Sequence, residues 1–248
     1  MRFRAALVVL LALACLPAPV LTSVPKAAAA EASEETDFLF RLGMMEGHLL
    51  IAHELIAAHQ AGAAMPHFGH PVRELYQDIA DYLAAKRFPA FDRQLAELEA
   101  SAAATPYSAA TEAKYQAVMA TLHKARELAP AALRASLPEM IRICADTVDA
   151  ASGEYGEALE QGRIASPVEY HDSRGFLAAV GQQLDALRAE HPDAAAQNLL
   201  ARFASVVAKA QWIVGDLLPA PTPRASLADY RVIAAEAARL AHSSNPVE

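Results

Sequence analysis

The chain has 248 residues, 54% of them hydrophobic but only 6% aromatic, and a formal net charge of −8. That acidic balance argues against nucleic acid or an anionic membrane surface as a partner. A core drawn mostly from Ala and Leu favours closely packed helices over sheets.

Residues 1–32 read as a secretory signal. Arg2 and Arg4 make a basic start, Ala5 to Ala14 is an uninterrupted apolar run, and small residues follow from Ala27 to Ala32, where a signal peptidase can cut. The run is shorter than the roughly 18 residues a membrane span needs, so the mature chain is expected to be periplasmic, without a span. It should begin near Glu31 or Ser33 and be more acidic still, because the segment removes Arg2, Arg4 and Lys26. Ala12-Leu13-Ala14-Cys15 loosely resembles a lipoprotein box, which leaves a lipid on Cys15 as the alternative. Cys144 is the only other cysteine, so no intramolecular disulfide survives cleavage and stability must come from packing.

Beyond the signal, apolar spacing predicts about eight helices, near 37–60, 71–86, 89–102, 107–127, 137–161, 172–190, 192–215 and 226–242. Ser136-Leu137-Pro138-Glu139 is a helix start, with a capping serine and Pro in the first turn. Thr105-Pro106 and His191-Pro192 also put proline where its missing N–H costs nothing. Gly62 and Gly162 stand where the first and fifth helices are expected to stop. No strand-like alternation is evident.

Sliding the chain on itself exposes a repeat. Residues 41–84 align without a gap on 142–185, which puts Arg41 on Arg142, Gln60 on Gln161, Pro66 on Pro167, His70 on His171 and Arg73 on Arg174. The expected fold is therefore all-α, a tandem duplication of two four-helix up-down bundles: residues 33–130 form the first repeat and 131–248 the second.

Histidine clustering is the one hint of chemistry. His48, His53, His59, His67 and His70 all lie within residues 48–70. Met44, Met45, Ile51, Ala52 and Leu55 surround His48 on one helical face, so it should point inward, with Arg41 and His59 along the same line. Its repeat mate is Asp149, read as a second polar group at a core-facing position. A buried imidazole needs partners for both ring nitrogens, either a metal or a hydrogen-bonded network. His67 and His70 form H-x-x-H in the loop expected to lead into the second helix, and His171 is the repeat mate of His70. The candidate metal ligands are thus His48, His67, His70 and His171, with Arg41, Asp149, Glu169 and Arg174 in support. Iron, copper and zinc all accept imidazole, so the spacing does not choose among them. His53, Glu54 and Glu46 read as a solvated face, and Met44 and Met45 as core filler.

Several chemistries find no motif. There is no E-x-x-H pair of a di-iron bundle, no H-E-x-x-H, no C-x-x-C-H, no Gly-rich phosphate loop and no G-x-S-x-G elbow. Cys144 lies in the apolar run Ile141-Arg142-Ile143-Cys144-Ala145, which points to burial rather than nucleophilic use. Nothing in the sequence argues for an enzyme.

An exported helical chain of two related bundles, with histidine and acid near the interior, resembles the imelysin-like group of periplasmic iron-uptake proteins across most of its mature length. The resemblance implies metal capture without proteolysis. The group's hallmark is G-x-H-x-x-E; here His48 follows Gly47 directly and Ile51 stands where the acid belongs, so no residue role carries over. Gly43–His48 and Asp172–Phe176 also resemble segments of uncharacterised exported bacterial proteins. The expected function is a non-catalytic periplasmic protein binding a transition metal or metal complex. The alternatives are an envelope interaction scaffold with structural histidines, whose partner is another protein, and a metal-dependent hydrolase or oxidase.

Overall fold

The structure, a computed structural model, describes residues 26–243. Residues 1–25, which hold the basic start, the apolar run and Cys15 of the expected signal, lie outside the described residues. The described chain is all-α apart from one two-residue hairpin. Its helices are α1 (Lys26–Ala57), α2 (Ala61–His70), α3 (Tyr76–Ala85), α4 (Asp92–Ala104), α5 (Ala109–Arg126), the single turn α6 (Ala131–Arg134), α7 (Leu137–Glu157), α8 (Pro167–Glu190), α9 (Ala194–Val214) and α10 (Leu227–Ser243). None is long and apolar enough to cross a membrane.

Buried apolar side chains gather in two clusters. One joins α1 to α2–α5 through Leu42, Met45, Leu49, Phe68, Ile79, Leu95 and Leu122. The other fills the bundle of α7–α10 with Ile141, Val148, Tyr155, Phe176, Phe203 and Tyr230, and takes Leu39 from α1. Helix α1 is therefore shared. It is buried almost all round between Leu42 and Ala52, as a central helix must be.

Glycine decides how α1 meets α8. A Cβ on Gly47 would stand 2.7 Å from Phe176 Cδ1 and 3.0 Å from the Gly175 carbonyl, and a Cβ on Gly175 would overlap the Gly47 carbonyl oxygen. The two backbones touch where neither residue has a side chain, and this crossing brings His48 on α1 beside Asp172 on α8.

Several elements depart from the sequence reading. The second helix begins at Ala61, not near residue 71, and continues through Pro66 into a five-residue π turn, Pro71–Leu75, before α3. His67 and His70 thus stand on a helix, not in a loop; burial of Ala64, His67 and Phe68 against the interior outweighs the local cost of Pro66. Gly62 does not end α1. His59, at φ 60°, takes the left-handed position there and is exposed, so it does not share the inward line of His48. The fifth predicted helix stops at Glu157 and the chain makes an antiparallel pair, Leu159 with Ile164 and Glu160 with Arg163. Gln161 and Gly162, at φ 51° and 74°, form its two-residue turn. Helix α8 begins at Pro167, five residues earlier than expected, which lifts His171 and Asp172 into a helical register.

Candidate metal centre

His48, His67, His70 and Asp172 each offer one donor atom, and the four atoms lie within 4.8 Å of one another. Three elements supply them: α1 gives His48, one face of α2 gives His67 and His70 three residues apart, and the first turns of α8 give Asp172. His48 Nδ1 and His67 Nδ1 both donate to Asp172 Oδ1 at 2.7 Å. An ionised carboxylate only accepts, so both rings carry their proton on Nδ1. His70 Nδ1 lies 3.3 Å from Asp172 Oδ2, within ion-pair reach but without hydrogen-bond geometry.

The cluster is dry. His67 is 0% exposed, and His48 and Asp172 are 3% exposed. His67 Nε2 and His70 Nδ1 are buried without a hydrogen-bond partner. Orphaned ring nitrogens beside a buried carboxylate suit a cation, which three imidazoles and one carboxylate can hold. Burial works to raise the Asp172 carboxyl, but the imidazoles of His48, His67 and His70 outweigh it and hold the group well below the usual carboxylate range. Burial lowers the His48 imidazole below its ordinary value despite Asp172. Burial also pulls on His70, yet Asp172 prevails there and raises it. Metal binding needs an ionised carboxylate, which Asp172 is, and neutral imidazoles, which burial favours at His48 and the carboxylate opposes at His70.

The surrounding charge is negative. Glu154 on α7 is half-buried, and burial followed by the charges of Asp172, Glu157, Glu169 and Glu74 pushes its carboxyl up to about 7. Glu74 Oε1 lies 3.8 Å from His70 Nε2 on the outer side.

His171 is buried with its ring 5.5 Å from that of His67, but its Nε2 donates to the Leu217 carbonyl at 2.9 Å, so it borders the four-donor cluster without joining it. Arg174 pairs with Glu54 at 2.7 Å and donates to the Gly215 carbonyl at 2.6 Å, tying α8 to α1 and to the segment after α9. Arg41 pairs with Asp78 at 2.7 Å and Glu169 accepts from Ser166; neither reaches the cluster. Asp149 is exposed, contrary to the core-facing position expected of it, because Val148 and Ala151 set the inward phase of α7. Glu46 is buried rather than solvated, held by Arg126 at 2.9 Å and His123 at 3.4 Å. His53 is part-exposed, bonded to Glu112 and stacked on Tyr115. Cys144 is buried, as expected, and burial pushes its thiol up to about 12.

Asp172 is the residue the sequence reading passed over. It stands three residues before Gly175, four before Phe176 and seven before Ala179, all buried, so a carboxylate on the apolar stripe of α8 was the available signal.

The chain is thus all-α with three imidazoles and a carboxylate gathered at one place, donor types that suit a metal. Residues 130–242, from α6 to the last turn of α10, match the family model of the iron permease-associated 4-helix bundle domain. Over that stretch the chain is similar to an iron-uptake-related helical bundle, and the match is to this domain, not to the imelysin-like group. No curated protein and no solved structure matches the chain.

Proposed function

We propose that this protein is a non-catalytic, exported metal-binding protein that captures a transition metal, iron first, with His48, His67, His70 and Asp172. One observation carries the reading: three imidazoles from α1 and α2 converge on a single buried carboxylate from α8. Asp172 supplies the negative charge a buried cation needs, and an ion seated between it and the rings takes the place of the protons that His48 and His67 donate to it. His171 borders the site through His67, and Arg174 positions α8 against α1. The similarity of residues 130–242 to an iron permease-associated domain favours iron over copper and zinc. On this reading residues 33–130 and 131–248 are the two copies of a duplicated bundle, and the metal lies at their seam.

The test is elemental analysis of untagged protein purified without chelators, followed by titration with iron, zinc and copper. One ion per chain is expected. His48→Ala and His70→Ala should each weaken binding at least about tenfold, the lower end of losses around metal sites. Binding no tighter than to a histidine-free helical bundle would favour the scaffold reading instead.

A further inference from the structure

Resting on that function, we infer that the centre takes one bare divalent ion, with iron in its ferrous state, and excludes both trivalent ions and metal complexes.

Size comes first. Donors held by one ion at about 2.1 Å sit about 3.0–3.4 Å from each other. Here the His–Asp contacts run from 2.7 to 3.3 Å and all four donor atoms fall within 4.8 Å. An ion that replaces the two Nδ1 protons fits among donors so spaced, and with His67 0% and His48 and Asp172 3% exposed these three offer no open face to a chelating molecule. A complex would have to part α1 from α8 at the Gly47–Gly175 crossing, where the backbones already touch. Cavities of about 900 Å³ beside Trp212 and Val232 and of about 620 Å³ beside Arg126 and Arg134 are lined by none of the four donors.

Charge and donor type select the valence. Asp172 is the single carboxylate of the cluster, so a divalent ion leaves one net positive charge in a dry site and a trivalent ion leaves two. The cost of burying charge rises with its square, which penalises the trivalent ion steeply. Three imidazole nitrogens to one carboxylate suit borderline divalent metals, whereas hard trivalent ions want oxygen. Glu154 and Glu74 stand outside the four donors, so they attract a cation without adding oxygen ligands to it. Among the described residues no cysteine thiolate belongs to the cluster, which weakens the usual preference for copper(I).

Redox-inert probes separate valence from oxidation chemistry. Co(II) should bind one per chain with visible ligand-field bands, and Asp172→Asn and His70→Ala should each weaken it by tenfold or more. Fe(II), added without oxygen, should displace it. Ga(III) and ferric citrate at hundredfold excess should leave the bands unchanged. Displacement by either would overturn the inference while leaving metal binding intact. If Co(II), Zn(II) and Fe(II) all fail to bind and ferric citrate binds at one per chain, the inference falls alone; if nothing binds, the proposed function falls with it.

Discussion

Gly175 meets Gly47 so closely that a methyl group on Gly175 would drive into the Gly47 carbonyl oxygen and reach 3.0 Å from Ile51 Cγ2. The obstacle is backbone, which cannot swing aside. Gly175→Ala must therefore push α8 from α1 and should cost about 1–3 kcal/mol, the usual range for overpacking. Thermal denaturation should register a loss of roughly 2–10 °C. Because His48 and Asp172 flank the crossing, metal affinity should fall as well. Gly153 is the control: it is an exposed helical position with nothing within 4 Å of an added Cβ. Gly153→Ala should stabilise the protein by roughly 0.5–1 kcal/mol through helix propensity and leave metal binding unchanged.

Asp172 carries the negative charge on which three rings converge. Asp172→Asn keeps the shape, removes the charge and puts an amide nitrogen among donor imidazoles. Metal affinity should fall about 10–100-fold, as for lost partners around metal sites. The metal-free protein should also lose stability at neutral pH. The folded carboxyl lies below its unfolded value, so its contribution is present above about pH 3.9 and fades as pH falls through the folded value. An Asp172→Asn protein denatured with urea from pH 3 to 7 should show a flatter stability profile than the parent. Equal slopes would deny Asp172 its electrostatic role.

What could be read in the sequence follows from how far apart the partners lie. Three of the four donors fall within residues 48–70, and their clustering was visible at once. Their carboxylate is 124 residues from His48 and reaches it only through the α1–α8 crossing, which no local pattern encodes. The repeat pointed at the correct turn of α8 but at the neighbouring residue, His171, because matching identities favoured the histidine aligned with His70. Helix α2 was missed because the segment holding His67 and His70 read as a loop, although a buried face can carry a proline such as Pro66 when tertiary packing offsets the lost hydrogen bond. Helix α1 is buried on most sides, so its faces could not be sorted into core and solvent, and Glu46 was misplaced for that reason. The repeat's own logic failed at Asp149, where the second bundle has no counterpart of α1's central position. The family match adds an asymmetry: residues 130–242 contain Asp172 but none of the three histidines clustered on it.

Glu46 offers a buried charge away from the metal. Burial opposes its ionisation, but hydrogen bonding from His123 and the charge of Arg126 outweigh burial and lower its carboxyl. Arg126→Ala would leave that carboxylate buried without its main partner, a change that typically costs about 3–5 kcal/mol. Combining it with Glu46→Leu should recover most of the loss. The hydrogen bond from Glu46 raises the imidazole of His123. The Glu46 contribution is thus present above about pH 4.5 and fades below it, while that of His123 is present below about pH 6.5 and fades as pH rises further. Stability from this group should peak between those values. A double-mutant cycle in urea at pH 5.5 and 8 should find the stronger Glu46–His123 coupling at the lower pH; stronger coupling at pH 8 would contradict the assignment.

Metal should also act as a clasp. His48, His67 and His70 come from α1 and α2, and Asp172 from α8 in the other bundle, so an ion shared by them binds a seam that the unfolded chain lacks. A ligand that binds only the folded state stabilises it by about 2.7 kcal/mol at a hundred times its dissociation constant. For a chain of this size that corresponds to roughly 5–10 °C in Tm. The gain should be local as well as global: amide exchange should slow most around the α1–α8 crossing and in α2, and least in α9 and α10, which give no ligand. Below about pH 5 the effect should vanish, because protonated imidazole cannot coordinate. Zn(II) serves for the measurement, being redox-inert and content with imidazole and carboxylate donors. Protection confined to exposed surface histidines such as His242, with α1, α2 and α8 unchanged, would place the ion elsewhere and remove the clasp.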